Sequence, residues 1–293
     1  MTDALFDFSK CHYNNCRYDG LDLSEQTDVV LVNVDWITDD SLPKRRWPHQ
    51  LYAAMTWEAP PNTRAGFLSN ANLSWNFAFN LTFTYRRDAD IFLPYGILEF
   101  KPLAKNVQPN YYEIAKRKTR FSAWLVSNCE TNSKREDYID QMQKYVVVDT
   151  YGGCGRPCKK DYCASVFTDY KFYLAFENSI CHDYVTEKFF KVFRHDLHIV
   201  PVVRGGIDYK KYFPHDVFID AADFKSPRDL AIYLKDLGKD LKRYSGYLER
   251  IDQYVWGQRP TAGCVVCEFL HTKAMGRKIY NMTRWMGDGQ CVL

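Results

Sequence analysis

From residue 120 onward the chain alternates short apolar runs with amphipathic stretches, and that alternation leaves few folds open to it. RFSAWLVSN (120 to 128) predicts a strand, SKREDYIDQMQKY (133 to 145) an amphipathic helix, and VVVDTYGG (146 to 153) a strand ending in a glycine turn. YKFYLAFEN (170 to 178) predicts another strand, followed by a helix from Thr186 to about Arg194 and by the strand HIVPVV (198 to 203), closed by Arg204-Gly205-Gly206. Ser226-Pro-Arg-Asp229 opens a further helix, with Ser at the cap, Pro at the first position and Leu230, Leu234 and Leu237 along one face. Strands alternating with helices imply an α/β chain with a mostly parallel sheet, which binds ligands beyond the carboxyl ends of its strands. Before residue 125 the strand signals are DVVLVNV (28 to 34), LYAAMTW (51 to 57) and DIFLPYG (90 to 96). A chain of 293 residues, 46% hydrophobic, is long enough for two domains.

The net charge is only +3, which gives no reason to expect nucleic acid or a membrane surface as partner. The basic runs KRR (44 to 46) and KRKTR (116 to 120) lack interleaved aromatics and read as solvated surface. Ten cysteines are more informative, and disulfides fit them better than zinc. Cys154, Cys158 and Cys163 could supply three thiolates, but the tight pair Cys264 and Cys267 has no second pair at ribbon spacing. Three sequons, at Asn72, Asn80 and Asn281, point with the cysteines to the secretory pathway. No run of eighteen apolar residues occurs and the first residues do not resemble a signal peptide, so a leader or anchor is expected outside this chain.

Residues 173 to 193, YLAFENSICHDYVTEKFFKVF, set Glu177, Glu187 and Lys188 among aromatic residues that belong in a core. With Thr186 as cap, Glu187 and Lys188 fall in a first helical turn, where free N–H groups and the dipole attract anions. Lys188 opposes that dipole. Either it is a solvated lysine, or an anion such as a diphosphate lies between it and the helix.

FYLAFENSICHDYVTEKFF resembles the signature of the α1,3/4-fucosyltransferases, FENS followed by Tyr, one residue and Thr-Glu-Lys. FNLTFTYRRDADIFLPYG (79 to 96), LVSNCETNSKREDYI with VDTYGG, and VPVVRGG with YFPHDVFIDAADFKSPRDLAIYLKDL are similar to further blocks of that family. The likeness runs from about residue 48 to 274. It implies a GT-B architecture of two facing Rossmann-like domains: an acceptor domain over 1 to 125, a GDP-fucose domain over 126 to 262, and a segment, 263 to 293, returning toward the first. It also implies a Golgi-lumenal parent held in the membrane by an anchor that this chain lacks.

The reaction so implied is an inverting transfer of L-fucose from GDP-fucose to a GlcNAc residue of a glycan, with no prosthetic group and no essential metal. The N-glycan core GlcNAc is favoured slightly over the outer Gal-GlcNAc unit. A silent glycan-binding protein of the same fold is the rival from another class. Such a transfer needs the departing diphosphate held, a proton taken from the acceptor hydroxyl, and water excluded. The family match carries Arg135, Lys188 and Tyr184 to the phosphates, Asn178 and Glu187 to ribose or fucose, and Tyr151 and Gly152 to the nucleotide. Glu58, in MTWEAPPNT, is the expected base, although Ala59 stands where the family commonly has Ser. Asp88-Ala-Asp90 reads DxD, yet its setting matches an acceptor-side segment rather than a metal site. The resemblance also supports a tie between Cys11 and Cys16 and the pair Cys264 and Cys267, with local pairing of the latter as the alternative.

Overall fold

The computed structural model describes residues 6–20, 22–35, 37, 43, 45–63, 75–158, 167–273, 278–287 and 289–292. Two compact units divide the chain. One comprises Met1–Tyr95, Cys181–Tyr184 and Gln258–Val292; the other comprises Gly96–Ile180 and Val185–Gly257.

The first unit holds a parallel sheet of β1 (Val29–Asn33), β2 (Leu51–Thr56), β3 (Leu81–Thr84) and β4 (Ile91–Phe92), in that order. Register pairs Val29 with Leu51 and Ala53 with Leu81. β2 and β3 are buried along nearly their whole length; β2 runs apolar without a period of two, whereas β3 alternates Leu81 and Phe83 with the buried Thr82 and Thr84. A helix over Ala262–Thr272 packs its Ala262 and Val266 against Phe83, Ile91 and Leu93. Its spacing of three residues puts Cys264 and Cys267 on one face. There Cys264 bonds Cys11 and Cys267 bonds Cys16, fastening the early chain to its late part; the two cysteines are not paired with each other.

In the second unit the strands are β5 (Ile97–Phe100), β6 (Arg120–Leu125), β7 (Val148–Tyr151), β8 (Tyr170–Phe176), β9 (Ile180–Cys181, which ends in the other unit), β10 (Val200–Arg204), β11 (Ile219–Asp220) and β12 (Tyr254–Gly257). Its parallel sheet is ordered β11-β10-β8-β6-β7. The chain leaves β6 to one side for β7, then returns to the other side for β8, so the order reverses between β6 and β8. Helices α1 (Tyr111–Arg117), α2 (Arg135–Met142), α5 (Pro227–Lys239) and α6 (Leu241–Ile251) belong to this unit. The short helices α3 (Glu187–Phe190) and α4 (Tyr209–Tyr212) lie between α2 and α5 in the chain, and Ala262–Thr272 is α7. The hydroxyl of Ser226 caps α5, and Leu230, Leu234 and Leu237 are buried.

The units separate at residue 95/96, not at 125, because β5 pairs antiparallel with β12 (Ile97 opposite Gly257). KRKTR is not wholly solvated either: Lys118 is buried and donates to the Thr168 carbonyl at 2.6 Å. Arg120 pairs with Asp149 at 3.0 Å.

Candidate active site

The aromatic residues around the 173–193 segment form a scaffold. Phe189 touches Phe193, Tyr209, Phe213 and Phe218 at ring-centroid distances of 4.6 to 5.9 Å. The charges they surround lie just past the carboxyl end of β8. Glu177 is 0% exposed. Its N–H donates to the Arg204 carbonyl at 2.9 Å, and its carbonyl accepts from the Ser133 hydroxyl at 2.7 Å. Its carboxylate accepts from the Thr186 N–H at 2.8 Å, from the Thr186 hydroxyl at 2.8 Å and from Lys188 Nζ at 3.2 Å.

That arrangement corrects the expected helix. α3 is a single turn ending at Phe190 rather than Arg194, and the Thr186 side chain does not cap it. The hydroxyl is drawn to Glu177 instead. One anion beside Lys188 is therefore a carboxylate of the same chain. Lys188 is 16% exposed in its side chain, donates to the Thr186 hydroxyl at 2.8 Å and approaches Glu187 at 3.4 Å. Burial lifts the Glu177 carboxyl above its usual range, against the pull of Lys188 and Thr186. Burial works against the Lys188 charge, but Glu177 and Glu187 outweigh it and the ammonium is held above its ordinary value. For Glu187 burial is likewise outweighed, here by Lys188 and Lys191, and its carboxyl is lowered. Lys191, in contact with the Tyr173 ring at 4.7 Å, is pushed down to about 8 by burial.

Asn178 follows Glu177, and its carbonyl accepts from the Ser133 N–H at 3.1 Å. Its side-chain Oδ1 is buried without a hydrogen-bond partner, as are Ser179 Oγ and the Tyr173 hydroxyl. These polar atoms lie near the point where strand order reverses, the place where parallel α/β sheets bind ligands.

Arg135 is where expectation and geometry part. It is 2% exposed, lies over Trp124, and donates to the carbonyls of Phe176 at 3.0 Å and Asn128 at 2.9 Å. Its guanidinium stitches the loop after β6 to the end of β8. Tyr151 is also buried, its hydroxyl within 2.8 Å of Tyr170 and 3.1 Å of Arg120. Tyr170 donates on to Asp149 at 2.8 Å. Gly152 has φ +96° and a side chain there would meet the Val126 carbonyl at 2.5 Å, so a glycine is required for the turn itself.

In the first unit Glu58 follows β2. Its N–H donates to the Thr56 hydroxyl at 2.9 Å, and Pro60 starts a short 3₁₀ turn two residues on. Tyr184 is 1% exposed, held edge-on by Tyr85 at 4.9 Å and Tyr95 at 6.1 Å. Its hydroxyl donates to Glu58 Oε2 at 3.5 Å. The residue expected beside the phosphates thus meets the expected base. A third disulfide, Cys181 to Cys291, fixes the segment that carries Tyr184, and a fourth joins Cys129 to Cys154. Both pairings unite cysteines far apart in sequence, which spacing alone does not reveal. Cys158 is also disulfide-bonded, while Cys163 lies outside the described residues.

The two carboxylates of the DxD stretch have separate partners. Asp88 pairs with Arg86 at 2.6 Å, while Asp90 accepts from the Thr82 N–H at 2.9 Å and the Tyr280 hydroxyl at 2.8 Å. Among the described residues, Asp88, His182 and Asp183 come close enough to share an ion, though Asp183 also accepts the Arg87 N–H at 3.0 Å. Of the sequons, Asn80 is buried: its amide donates to the Lys278 carbonyl at 2.9 Å and accepts from the Tyr52 N–H at 3.2 Å. That burial sets Asn80 apart from a freely exposed sequon. Asn281 is half-buried, and Asn72 lies outside the described residues.

Two units with mostly parallel sheets, one of them with a polar site at a reversal of strand order, have the GT-B fold. The C-terminal model of glycosyltransferase family 10 (fucosyltransferase) matches residues 115–285, and the fucosyltransferase N-terminal model matches residues 2–96. The chain belongs to this family. Glycoprotein 3-alpha-L-fucosyltransferase A of Drosophila melanogaster is 34% identical over 97% of the chain. Alpha-(1,3)-fucosyltransferase C of the same organism is 36% identical over 81%. A human 4-galactosyl-N-acetylglucosaminide 3-alpha-L-fucosyltransferase is 38% identical over 71%. The chain spans 57%, 59% and 55% of the lengths of these three relatives. A crystal structure of an alpha1,3-fucosyltransferase with GDP-fucose shares the fold at TM-score 0.55 and 17% identity, covering 85% of this chain and 80% of that one.

Proposed function

We propose that the chain transfers L-fucose from GDP-fucose, in α1,3 linkage and with inversion, to a GlcNAc residue of a glycan. The observation that carries this reading is the group at the carboxyl ends of β6 and β8: a desolvated ammonium, Lys188, beside the unpartnered Oδ1 of Asn178, at a reversal of strand order. Nucleotides bind at such a position, and a diphosphate leaving as an anion needs a fixed cation there. Lys188 receives the diphosphate charge, and Asn178 and Glu187 take ribose or fucose hydroxyls. Arg135, Tyr151 and Gly152 support the loops that carry these groups rather than touch the donor. Glu58 removes the proton from the acceptor hydroxyl as the fucosyl carbon is attacked, and Tyr184 holds its carboxylate. GDP is a sufficient leaving group without a general acid, so one carboxylate serves where glycosidases use two. Separate partners for Asp88 and Asp90 support a reaction that does not depend on a DxD-bound metal.

The relatives act, by their names, on glycoproteins and on 4-galactosyl-N-acetylglucosaminides, and both acceptors come to this chain as candidates. The core GlcNAc of an N-glycan is the favoured one, in keeping with the glycoprotein-type relative that matches nearly the whole chain. The disulfides suit an oxidising lumen, and we place the protein in the Golgi. Incubation with GDP-fucose and a panel of defined N-glycans and lactosamine tests the reaction and its acceptor together. Calorimetry with GDP and UDP tests the donor alone. Binding of UDP but not GDP would overturn the donor assignment.

A further inference from the structure

We propose that Glu177 is a positioning residue that aims Lys188 at the donor diphosphate; this rests on the reading of Lys188 as the diphosphate contact. A lysine ammonium has three N–H donors and a flexible four-carbon stem, so alone it is a loosely placed charge. Here two of its donors have fixed acceptors, the Thr186 hydroxyl at 2.8 Å and the Glu177 carboxylate at 3.2 Å. Thr186 gives its single hydroxyl proton to Glu177 at 2.8 Å and presents a lone pair to Lys188, so three groups close a ring. Among the described residues the third donor faces Glu187 at 3.4 Å, a longer contact to a side chain that is 50% exposed. A phosphate oxygen can replace Glu187 there without disturbing the other two bonds.

Glu177 is itself held from two sides. The Thr186 N–H binds its carboxylate, and its backbone is pinned by Arg204 and Ser133, which in turn bond each other at 2.7 Å. A buried carboxylate is a costly way to join a loop to a strand, since an apolar contact of the same shape would serve the fold as well or better. Its retention makes sense where a cation must be presented at one place.

The test compares GDP with guanosine, which lacks the phosphates, in calorimetric titrations of the wild-type chain, Glu177→Gln, Thr186→Val and Thr186→Ser. Glu177→Gln keeps the shape and removes the charge. Thr186→Val removes the bridging hydroxyl, and Thr186→Ser restores it. We expect both Glu177→Gln and Thr186→Val to weaken GDP binding by about tenfold or more, the scale of a lost hydrogen bond to a charged group. Guanosine binding should change by less than about twofold, and Thr186→Ser should recover GDP affinity. If Glu177→Gln does not fold, Thr186→Val and Thr186→Ser still give the comparison. Unchanged or tighter GDP binding in the variants would overturn the proposal, because Glu177 would then be a spectator or a competitor. Equal losses for GDP and guanosine would overturn it too, as the mark of a merely structural group. A wild-type chain that binds neither GDP nor guanosine would instead bring down the donor assignment, and this proposal with it.

Discussion

The Tyr184 hydroxyl stands 3.5 Å from the Glu58 carboxylate, its ring packed edge-on between those of Tyr85 and Tyr95. A base that must meet an acceptor hydroxyl in one geometry gains from such a fixed donor. Glu58→Gln should cut turnover by about 10²- to 10⁴-fold, the usual contribution of a general base, with GDP affinity kept. Tyr184→Phe should lower kcat by about tenfold and leave the dissociation constant of GDP near wild type. Single-turnover kinetics beside calorimetry separates the two effects; near-normal turnover in Glu58→Gln would remove it from the chemistry.

Arg135 offers a prediction of the opposite kind. Since its guanidinium serves the carbonyls of Phe176 and Asn128, Arg135→Ala strands two acceptors and opens a void under Trp124. Urea unfolding should show a loss of about 2 to 4 kcal/mol. Arg135→Lys should recover little, because a point ammonium cannot span both carbonyls as a planar fork does. A variant of wild-type stability that had lost only GDP binding would return Arg135 to the phosphates.

The Cys16–Cys267 bridge closes a loop of 251 residues in sequence separation and is anchored on α7, whose Ala262 and Val266 pack against Phe83, Ile91 and Leu93. Replacing both cysteines by Ser should lower stability by about 2 to 5 kcal/mol, since the unfolded chain regains the freedom that the bridge removes. Thermal unfolding under non-reducing conditions checks this. Cys11–Cys264 lies three residues away on the same helix, so the double loss should exceed either single loss but fall short of their sum.

Much of the frame was legible in the sequence because parallel strands buried on both faces must be continuously apolar, as FYLAF of β8 is. The α5 start was equally plain, because Ser226-Pro-Arg-Asp229 satisfies the first free N–H groups within four residues. What sequence hid was competition between partners. Thr186 reads as a cap, but Glu177, nine residues earlier, takes its hydroxyl, and only the β8 turn brings them together. Asn80 carries a sequon that any surface loop would expose, yet the residue lies just before β3 and its amide bonds Lys278 and Tyr52, one of them 198 positions away. Arg135 has the charge for a phosphate, and nothing in a linear string says that it also bonds the carbonyls of Phe176 and Asn128.

Lys118 gives the clearest dependence on pH. It sits in the basic run before β6, yet it is buried, with its ammonium on the carbonyls of Thr168 at 2.6 Å and Leu197 at 3.5 Å. Burial pushes it down to about 7, against the pull of Asp169. In the unfolded chain a lysine titrates near the ordinary value of 10.5. Below about pH 7 both states hold the proton, so the cost of burying the charge is full and constant. Between about pH 7 and 10.5 the unfolded chain binds a proton that the folded chain has released, so stability rises with pH through that window, by at most about 1.4 kcal/mol per unit. Lys118→Met keeps the stem and removes the titration. Urea unfolding at pH 6, 7, 8 and 9 should therefore show wild type gaining on Lys118→Met above pH 7, with the difference flat below it. Parallel curves across the whole range would mean that the ammonium keeps its proton inside the fold, held by those two carbonyls more strongly than burial opposes it.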